Sequence, residues 1–249
     1  MENFRSRPMF YLDSDLNPGE NKHITGAESG HILQSRRLRC GDQLLLTNGQ
    51  GVRATAAVLS IRKKRDGLTV RVESSVLEER PVVRKTLAAA IPKGERQSVL
   101  LGMATQLGMS AYIPLICEYS VVKYQQKMKD RWRRIVTGAC KQCRQCHFPV
   151  IEDARSIRSV LDSSPPDTLI VIGDLEGKSM ETANAEITPG IREVRMLVGP
   201  EGGFSETERQ LMSRRNALKL RLSNQVLRTE TAAVSLLAAV NQLKLIQEY

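Results

Sequence analysis

From residue 41 to residue 72 the chain alternates short apolar runs with turn residues. Gly41-Asp42 precedes Leu44-Leu45-Leu46, and Asn48-Gly49 follows, a pair that favours the backbone of a hairpin turn. Val52, Ala54, Ala56 and Val58 then recur at every second position, as do Leu68, Val70 and Val72 after Asp66-Gly67. Successive side chains of a strand point to opposite faces, so this spacing predicts strands with one buried face. Residues 31–38 read as a short helix between strands. Many short strands with regular turns predict a small barrel. Glu78-Glu79-Arg80-Pro81, charged and closed by a proline, predicts a boundary, giving one domain over 1–80 and a second over 81–249.

Beyond the boundary the period changes. Residues 86–91 form an apolar strand candidate stopped by Pro92. Val99, Met103 and Leu107 sit at helical spacing before Gly108, a natural helix C-cap, which predicts a helix over 98–107. Residues 111–116, 168–172 and 194–198 read as strands, and 126–146 as a long basic helix. Ser205-Glu206-Thr207-Glu208 is a capping box that opens a further helix. Leu218, Leu220 and Leu222 alternate as a strand. Residues 229–247 predict a last helix whose first half is apolar nearly all round, hence buried. Strands alternating with helices predict an α/β domain with a mostly parallel sheet.

Composition narrows the class. Of 249 residues 41% are apolar, enough for a real core, and no run approaches the roughly 18 apolar residues of a membrane span. The N-terminus has no apolar stretch of the secretory kind, so a cytoplasmic protein with five thiols is expected. The net charge is +10, and it is unevenly spread: residues 81–160 hold 14 basic against 5 acidic side chains. Between Val121 and Cys146, Asp130 alone faces Lys123, Lys127, Lys129, Arg131, Arg133, Arg134, Lys141 and Arg144. Such a local field attracts polyanions, which points to nucleic acid. Cys143-Arg144-Gln145-Cys146-His147 has the spelling of a haem attachment motif, but attachment requires export. Cys140, Cys143 and Cys146 lack a fourth ligand unless His147 serves. They read as structural thiols, and no metal site is expected.

Two segments carry candidate chemistry. Leu197-Val198-Gly199-Pro200-Glu201-Gly202-Gly203-Phe204 joins a strand to the capped helix; its glycines open the backbone to close approach. It lacks the Gly-Lys-Ser/Thr of a phosphate loop and the glycine spacing of a dinucleotide site. Ligands of open α/β sheets bind beyond the carboxyl ends of strands, where this loop falls. Leu222-Ser223-Asn224-Gln225-Val226-Leu227-Arg228-Thr229-Glu230-Thr231-Ala232 places polar groups at the start of the buried last helix. Thr229 reads as an N-cap and Glu230 as a favourable first-turn charge, or both line a site.

Together these segments resemble the ribosomal RNA small subunit methyltransferase E family, a branch of the trefoil-knotted SPOUT methyltransferases. The resemblance spans the chain: His31-Ile32-Leu33 with Arg36-Arg37-Leu38-Arg39 and Gly41-Asp42 is similar to the family's PUA-like RNA-binding barrel. Lys93-Gly94-Glu95-Arg96, Leu107-Gly108, Ser120-Val121-Val122-Lys123, Arg131-Trp132 and Gln142-Cys143 match as well. It implies an N-terminal PUA-like β-barrel, a C-terminal knotted α/β domain, a homodimer, and methyl transfer from S-adenosylmethionine to N3 of a uridine in 16S rRNA of the small ribosomal subunit. The cofactor residues it implies are Leu197, Gly199, Pro200, Glu201, Gly202, Gly203, Leu222, Ser223, Asn224, Val226, Leu227, Thr229 and Ala232. The implied catalytic pair is Arg228, which stabilises the uridine anion, and Glu230, which either removes the N3 proton or orients Arg228. Arg7, Arg36, Arg37, Arg39, Lys127, Arg131 and Arg134 are the candidate RNA contacts.

The chain departs from the family at Met103 and Gln106, where a Lys and a Glu are usual, at Lys141, and at Ser223-Asn224-Gln225, where Gly-Pro-Arg is usual. An RNA-binding assembly factor with weakened activity, or a methyltransferase for another RNA target, remains the alternative. The ribose-methylating branch carries a different segment at its last helix.

Overall fold

The computed structural model describes residues 7–26, 29, 38–61 and 67–245. The helix expected over 31–38 therefore lies outside the described residues, except for Leu38. The chain divides into two compact units, Met1–Arg80 with Cys140–Phe148, and Pro81–Ala139 with Pro149–Tyr249.

The first unit is a five-stranded sheet in the order β1-β3-β4-β5-β2, with β1 Met9–Tyr11, β2 Asn21–Ile24, β3 Gln43–Thr47, β4 Val52–Ile61 and β5 Leu68–Leu77. Only the β1–β3 pairing is parallel. The alternation does what it predicts: Leu44, Leu46, Ala54, Ala56, Val58, Leu68, Val70 and Val72 enclose one core with Phe10 and Ile24. Leu45, on the opposite face, packs with Met9 and Cys146, which is why the run 44–46 is apolar without a break. The β3–β4 loop is four residues long rather than two. Asn48 Oδ1 accepts from the N–H groups of Gln50 and Val52 at 2.9 and 3.1 Å, and Gly49 takes φ +73°. Residues 140–148 belong to this unit through specific bonds. Phe148 N–H donates to Gly49 O, Gly51 N–H to Cys146 O (2.9 Å each), and the His147 ring meets Glu78 O at 2.8 Å. Strands β1 and β2, three and four residues long, were not visible as a pattern.

The second unit is a wholly parallel sheet in the order β12-β10-β11-β6-β7-β8, with β9 also paired to β7. Its strands are β6 Arg84–Ala89, β7 Ala111–Ile116, β8 Val150–Ile151, β9 Arg155–Ser156, β10 Thr168–Lys178, β11 Glu193–Val198 and β12 Leu218–Leu220. Its helices, in chain order, are α1 Arg96–Gln106, α2 Met128–Cys143, α3 Ile157–Asp162, α4 Met180–Glu186, α5 Glu206–Arg214 and α6 Thr229–Val240. Every residue of β11 is buried, as expected where helices cover a parallel sheet. α3 and α5 contribute Ile157, Val160, Leu161 and Met212 to a core with Ile113, Leu115, Ile170, Ile172 and Leu197. α6 packs on β10, β11, β6 and α1.

Two helices differ from expectation. α1 buries Leu100, Leu101, Ala104, Gln97 and Thr105 and leaves Val99 and Met103 almost half exposed. The apolar spacing that predicted the helix marks its outer face. α6 stops at Val240, well before residue 247, with Asn241 as its C-cap. The Asn241 side-chain amide donates to Leu107 O at 2.9 Å and accepts from Lys85 Nζ at 2.6 Å.

Candidate active site

β10 and β11 lie side by side with their carboxyl ends at one edge of the sheet, the usual place for a ligand in an open α/β sheet. After Val198 the glycine loop turns into α5, and the expected capping box is complete. Glu208 N–H donates to Ser205 Oγ at 3.4 Å, and Ser205 N–H donates to Glu208 Oε2 at 2.8 Å. From β12, residues 221–228 lead to α6. Its N-cap is Arg228 and not Thr229; the buried Thr229 instead donates its hydroxyl to Gly199 O at 3.2 Å, tying the two loops together.

These loops wall a cavity of about 1000 Å³. Leu197, Gly199, Pro200, Gly203, Leu222, Val226, Leu227, Thr229 and Ala232 line it, and Ser223 lines an adjoining recess of about 180 Å³. Glu201, Gly202 and Asn224, also expected at the cofactor, are not on these walls. Sequence reasoning missed a third wall, Gly173, Asp174, Leu175, Glu176, Gly177 and Lys178 of β10. Its signal was two glycines flanking acidic residues at the end of an apolar strand. The wall is shaped by what it lacks. A Cβ on Gly177 would lie 2.6 Å from the Leu220 carbonyl carbon, and one on Gly173 would lie 2.8 Å from Leu222 Cδ1. Gly199 faces the Phe204 ring at 3.3 Å in the same sense, and Gly203 takes φ +75°. Glycine backbone with leucine side chains suits the edge and face of a purine nucleoside, and Asp174 on this wall pairs with Lys219 at 3.6 Å.

The charges at the edge are arranged differently from expectation. Glu230 does not contact Arg228. It pairs with Arg96 at the start of α1: Oε2 is 3.9 Å from Arg96 Nη1, whose shorter contact, 3.2 Å, is to Glu201 Oε1. Arg96 also donates from Nε to Lys93 O. Glu230 is largely buried, and its Oε2 has no hydrogen-bond partner. The Arg228 side chain is exposed and makes no hydrogen bond or ion pair among the described residues, while its carbonyl accepts from Ala232 N–H at 2.8 Å. Among the described residues Glu230 thus pairs with Arg96 and not with Arg228, a contact that the sequence motif holding Arg96 did not reveal.

The basic residues fall into distinct settings. Arg7 O accepts from the Arg144 guanidinium, Arg39 is exposed beside Asp42, which its N–H meets at 2.7 Å, and Arg36 and Arg37 lie outside the described residues. On α2, Arg131 makes two 2.9 Å contacts to the Glu95 carboxylate, and Arg134 Nε donates to Asp130 O. Lys127, just before α2, is exposed and unpaired among the described residues. The five cysteines are free thiols, three of them buried: burial pushes Cys146 up to about 11 and Cys117 up to about 12, and raises Cys140 further.

Residues 78–241 match the RNA methyltransferase domain and residues 24–70 the RNA methyltransferase PUA domain. Ribosomal RNA small subunit methyltransferase E of Mycobacterium bovis is 30% identical over 94% of this chain and 91% of its own length. A Legionella pneumophila methyltransferase solved in complex with the bound cofactor SAM is 28% identical, with a TM-score of 0.82, over 94% of this chain and 97% of its own. Ribosomal RNA small subunit methyltransferase E of Neisseria gonorrhoeae, bound to S-adenosyl methionine, superposes with a TM-score of 0.83 at 25% identity, over 94% and 97% of the two chains. With a PUA domain joined to a parallel-sheet methyltransferase domain whose glycine loop walls a cavity, the chain belongs to the ribosomal RNA small subunit methyltransferase E family.

Proposed function

We propose that this chain methylates N3 of a uridine in 16S rRNA, with S-adenosylmethionine held in the cavity between residues 199–203, 173–178 and 222–232. The observation that carries this reading is the exposed, unpartnered Arg228 side chain at the start of α6, next to a cavity walled by glycine backbone. The cofactor supplies an electrophilic methyl group on a sulfonium. Gly173, Gly177, Gly199 and Gly203 on the cavity walls, with Leu222, Leu227 and Leu236, are the residues that would hold the nucleoside part. Uridine N3 is a nucleophile only once its proton leaves. Glu230 Oε2, without a hydrogen-bond partner, takes that proton. The Arg228 guanidinium donates to the uracil carbonyl oxygen as the negative charge spreads there, and Arg96 holds Glu230 and Glu201 in place.

The RNA is held by Arg7, Arg36, Arg37 and Arg39 of the first unit and by Lys127, Arg131 and Arg134 of the second. The exposed pair Val99 and Met103 supports a homodimer through α1, and light scattering at micromolar concentration checks it: a monomeric mass contradicts it. The trefoil knot that the resemblance implies is part of this same reading. Among the described residues no helix is long and apolar enough to cross a membrane, and the cytoplasm, where small subunits are assembled, is the compartment that fits the substrate. Nucleoside mass spectrometry of 16S rRNA from a strain lacking the gene tests the function. Loss of 3-methyluridine, restored by the wild-type gene and not by Arg228→Ala, is expected; unchanged 3-methyluridine overturns the reading.

A further inference from the structure

The glycine loop has a second side. Gly199, Pro200 and Gly203 face the cavity, whereas Gly202 faces Tyr119: a Cβ on Gly202 would lie 3.2 Å from Tyr119 Cβ. Tyr119 stands beyond the carboxyl end of β7, at the same edge of the sheet as the ends of β11 and β6. Its turn is locked. Ser120 N–H donates to Cys117 O at 3.0 Å, Cys117 N–H to Ser120 Oγ at 2.9 Å, and Glu118 N–H to Glu208 Oε1 at 2.9 Å. Yet Tyr119 is 49% exposed, and its hydroxyl has no hydrogen-bond partner among the described residues. Exposed Lys123 and Lys127 follow it in the chain. A rigid backbone that presents an aromatic residue to solvent, in a segment that continues into exposed lysines, is the arrangement that receives an unstacked base of single-stranded nucleic acid.

We propose that Tyr119 is the stacking platform for a base of the RNA substrate, on the side of the glycine loop away from the cofactor cavity. This subsite rests on the methyl-transfer reading above and adds to it where the RNA strand lies: along the ends of β11, β6 and β7. The ring, and not the hydroxyl, carries the contact.

Fluorescence anisotropy with a labelled 16S rRNA fragment tests it on the full-length protein, with Tyr119→Ala and Tyr119→Phe. Tyr119→Ala is expected to raise the Kd roughly 5- to 100-fold, the range for loss of one base–aromatic stack, while Tyr119→Phe stays within about twofold. The slope of log affinity against log salt should stay unchanged, because no phosphate contact is removed. Affinity for S-adenosylmethionine by calorimetry and the melting temperature should also hold. An unchanged Kd for the Ala variant, a Phe variant as weak as the Ala variant, or a flattened salt slope overturns the proposal. A dimer that falls apart in Tyr119→Ala overturns it too, in favour of a contact between copies. Binding is read here and not turnover, so a wild-type protein that forms no methylated product would sink the methyl-transfer reading while this measurement still decides the subsite.

Discussion

Two arginine–glutamate groups on the same sheet have opposite characters. In the middle of β11, buried Arg195 donates to Glu193 at 3.1 Å, to Val160 O at 2.8 Å, and to the Ser163 and Ser164 hydroxyls at 3.0 and 3.1 Å. Glu193 also accepts from Thr86 Oγ1 at 2.6 Å. Every charge there has partners fixed by the fold, so the group ties α3 to the sheet and has nothing left for a ligand. At the carboxyl edge the Arg228 side chain is exposed without a partner, and Glu230 Oε2 accepts no hydrogen bond, with Arg96 Nη1 as its ion-pair partner at 3.9 Å. Buried polar groups in folded proteins are satisfied almost without exception; those left unsatisfied at a cavity are the ones available to a substrate.

That contrast can be broken by substitution. Arg195→Ala leaves the Glu193 carboxylate with Thr86 and the 4.0 Å contact to Arg84 alone and should destabilise the protein by about 3 kcal/mol, the low end for a broken buried pair. At roughly 2–4 °C per kcal/mol for a domain of this size, thermal unfolding will register it clearly. Replacing both charges, Glu193→Leu with Arg195→Met, should recover much of the loss. Arg228→Lys should do the reverse: the melting temperature and cofactor affinity hold, and single-turnover methylation falls roughly 10²–10³-fold. Equal stability losses at the two arginines would erase the distinction. Glu230→Gln should slow the same step by roughly 10²–10⁴-fold. That deficit should narrow as pH rises, because hydroxide then removes the N3 proton that the carboxylate no longer takes; a deficit constant with pH makes Glu230 a structural group.

Smaller effects sharpen the picture of the basic segment. Lys127→Ala and Arg134→Ala should each flatten the slope of log RNA affinity against log salt by roughly 0.7. Arg131→Ala should flatten it less, because Glu95 already neutralises that guanidinium. Cys146, pushed up to about 11 by burial, is protonated at pH 8 and should resist iodoacetamide, which labels exposed Cys40 and Cys143 first. Peptide mapping checks the order; early labelling of Cys146 contradicts its burial with Met9 and Leu45.

What was legible in the sequence was local. The period of Val52 to Val58 and of Leu68 to Val72, the Ser205–Glu208 box and the two glycine-rich or polar loops each depend on neighbours a few residues away. The Arg96–Glu230 pair joins α1 to α6 through the fold, so no spacing announces it, and the Val99–Met103 stripe gave the right helix with the wrong face. The β10 wall stayed hidden because residues 173–178 lose the apolar pattern while remaining a strand, held by β12 through Arg221 N–H to Lys178 O at 2.9 Å. Short strands such as β8 and β9, two residues each, carry no periodic signal at all.

The most direct test of the central claim is the identity of the product. Purified protein is incubated with small ribosomal subunits lacking the modification and S-adenosylmethionine bearing a deuterated methyl group, and the 16S rRNA is digested to nucleosides for mass spectrometry. The account predicts deuterated 3-methyluridine, absent with Arg228→Ala. A label on the ribose, on another base, or on no nucleoside at all would contradict it.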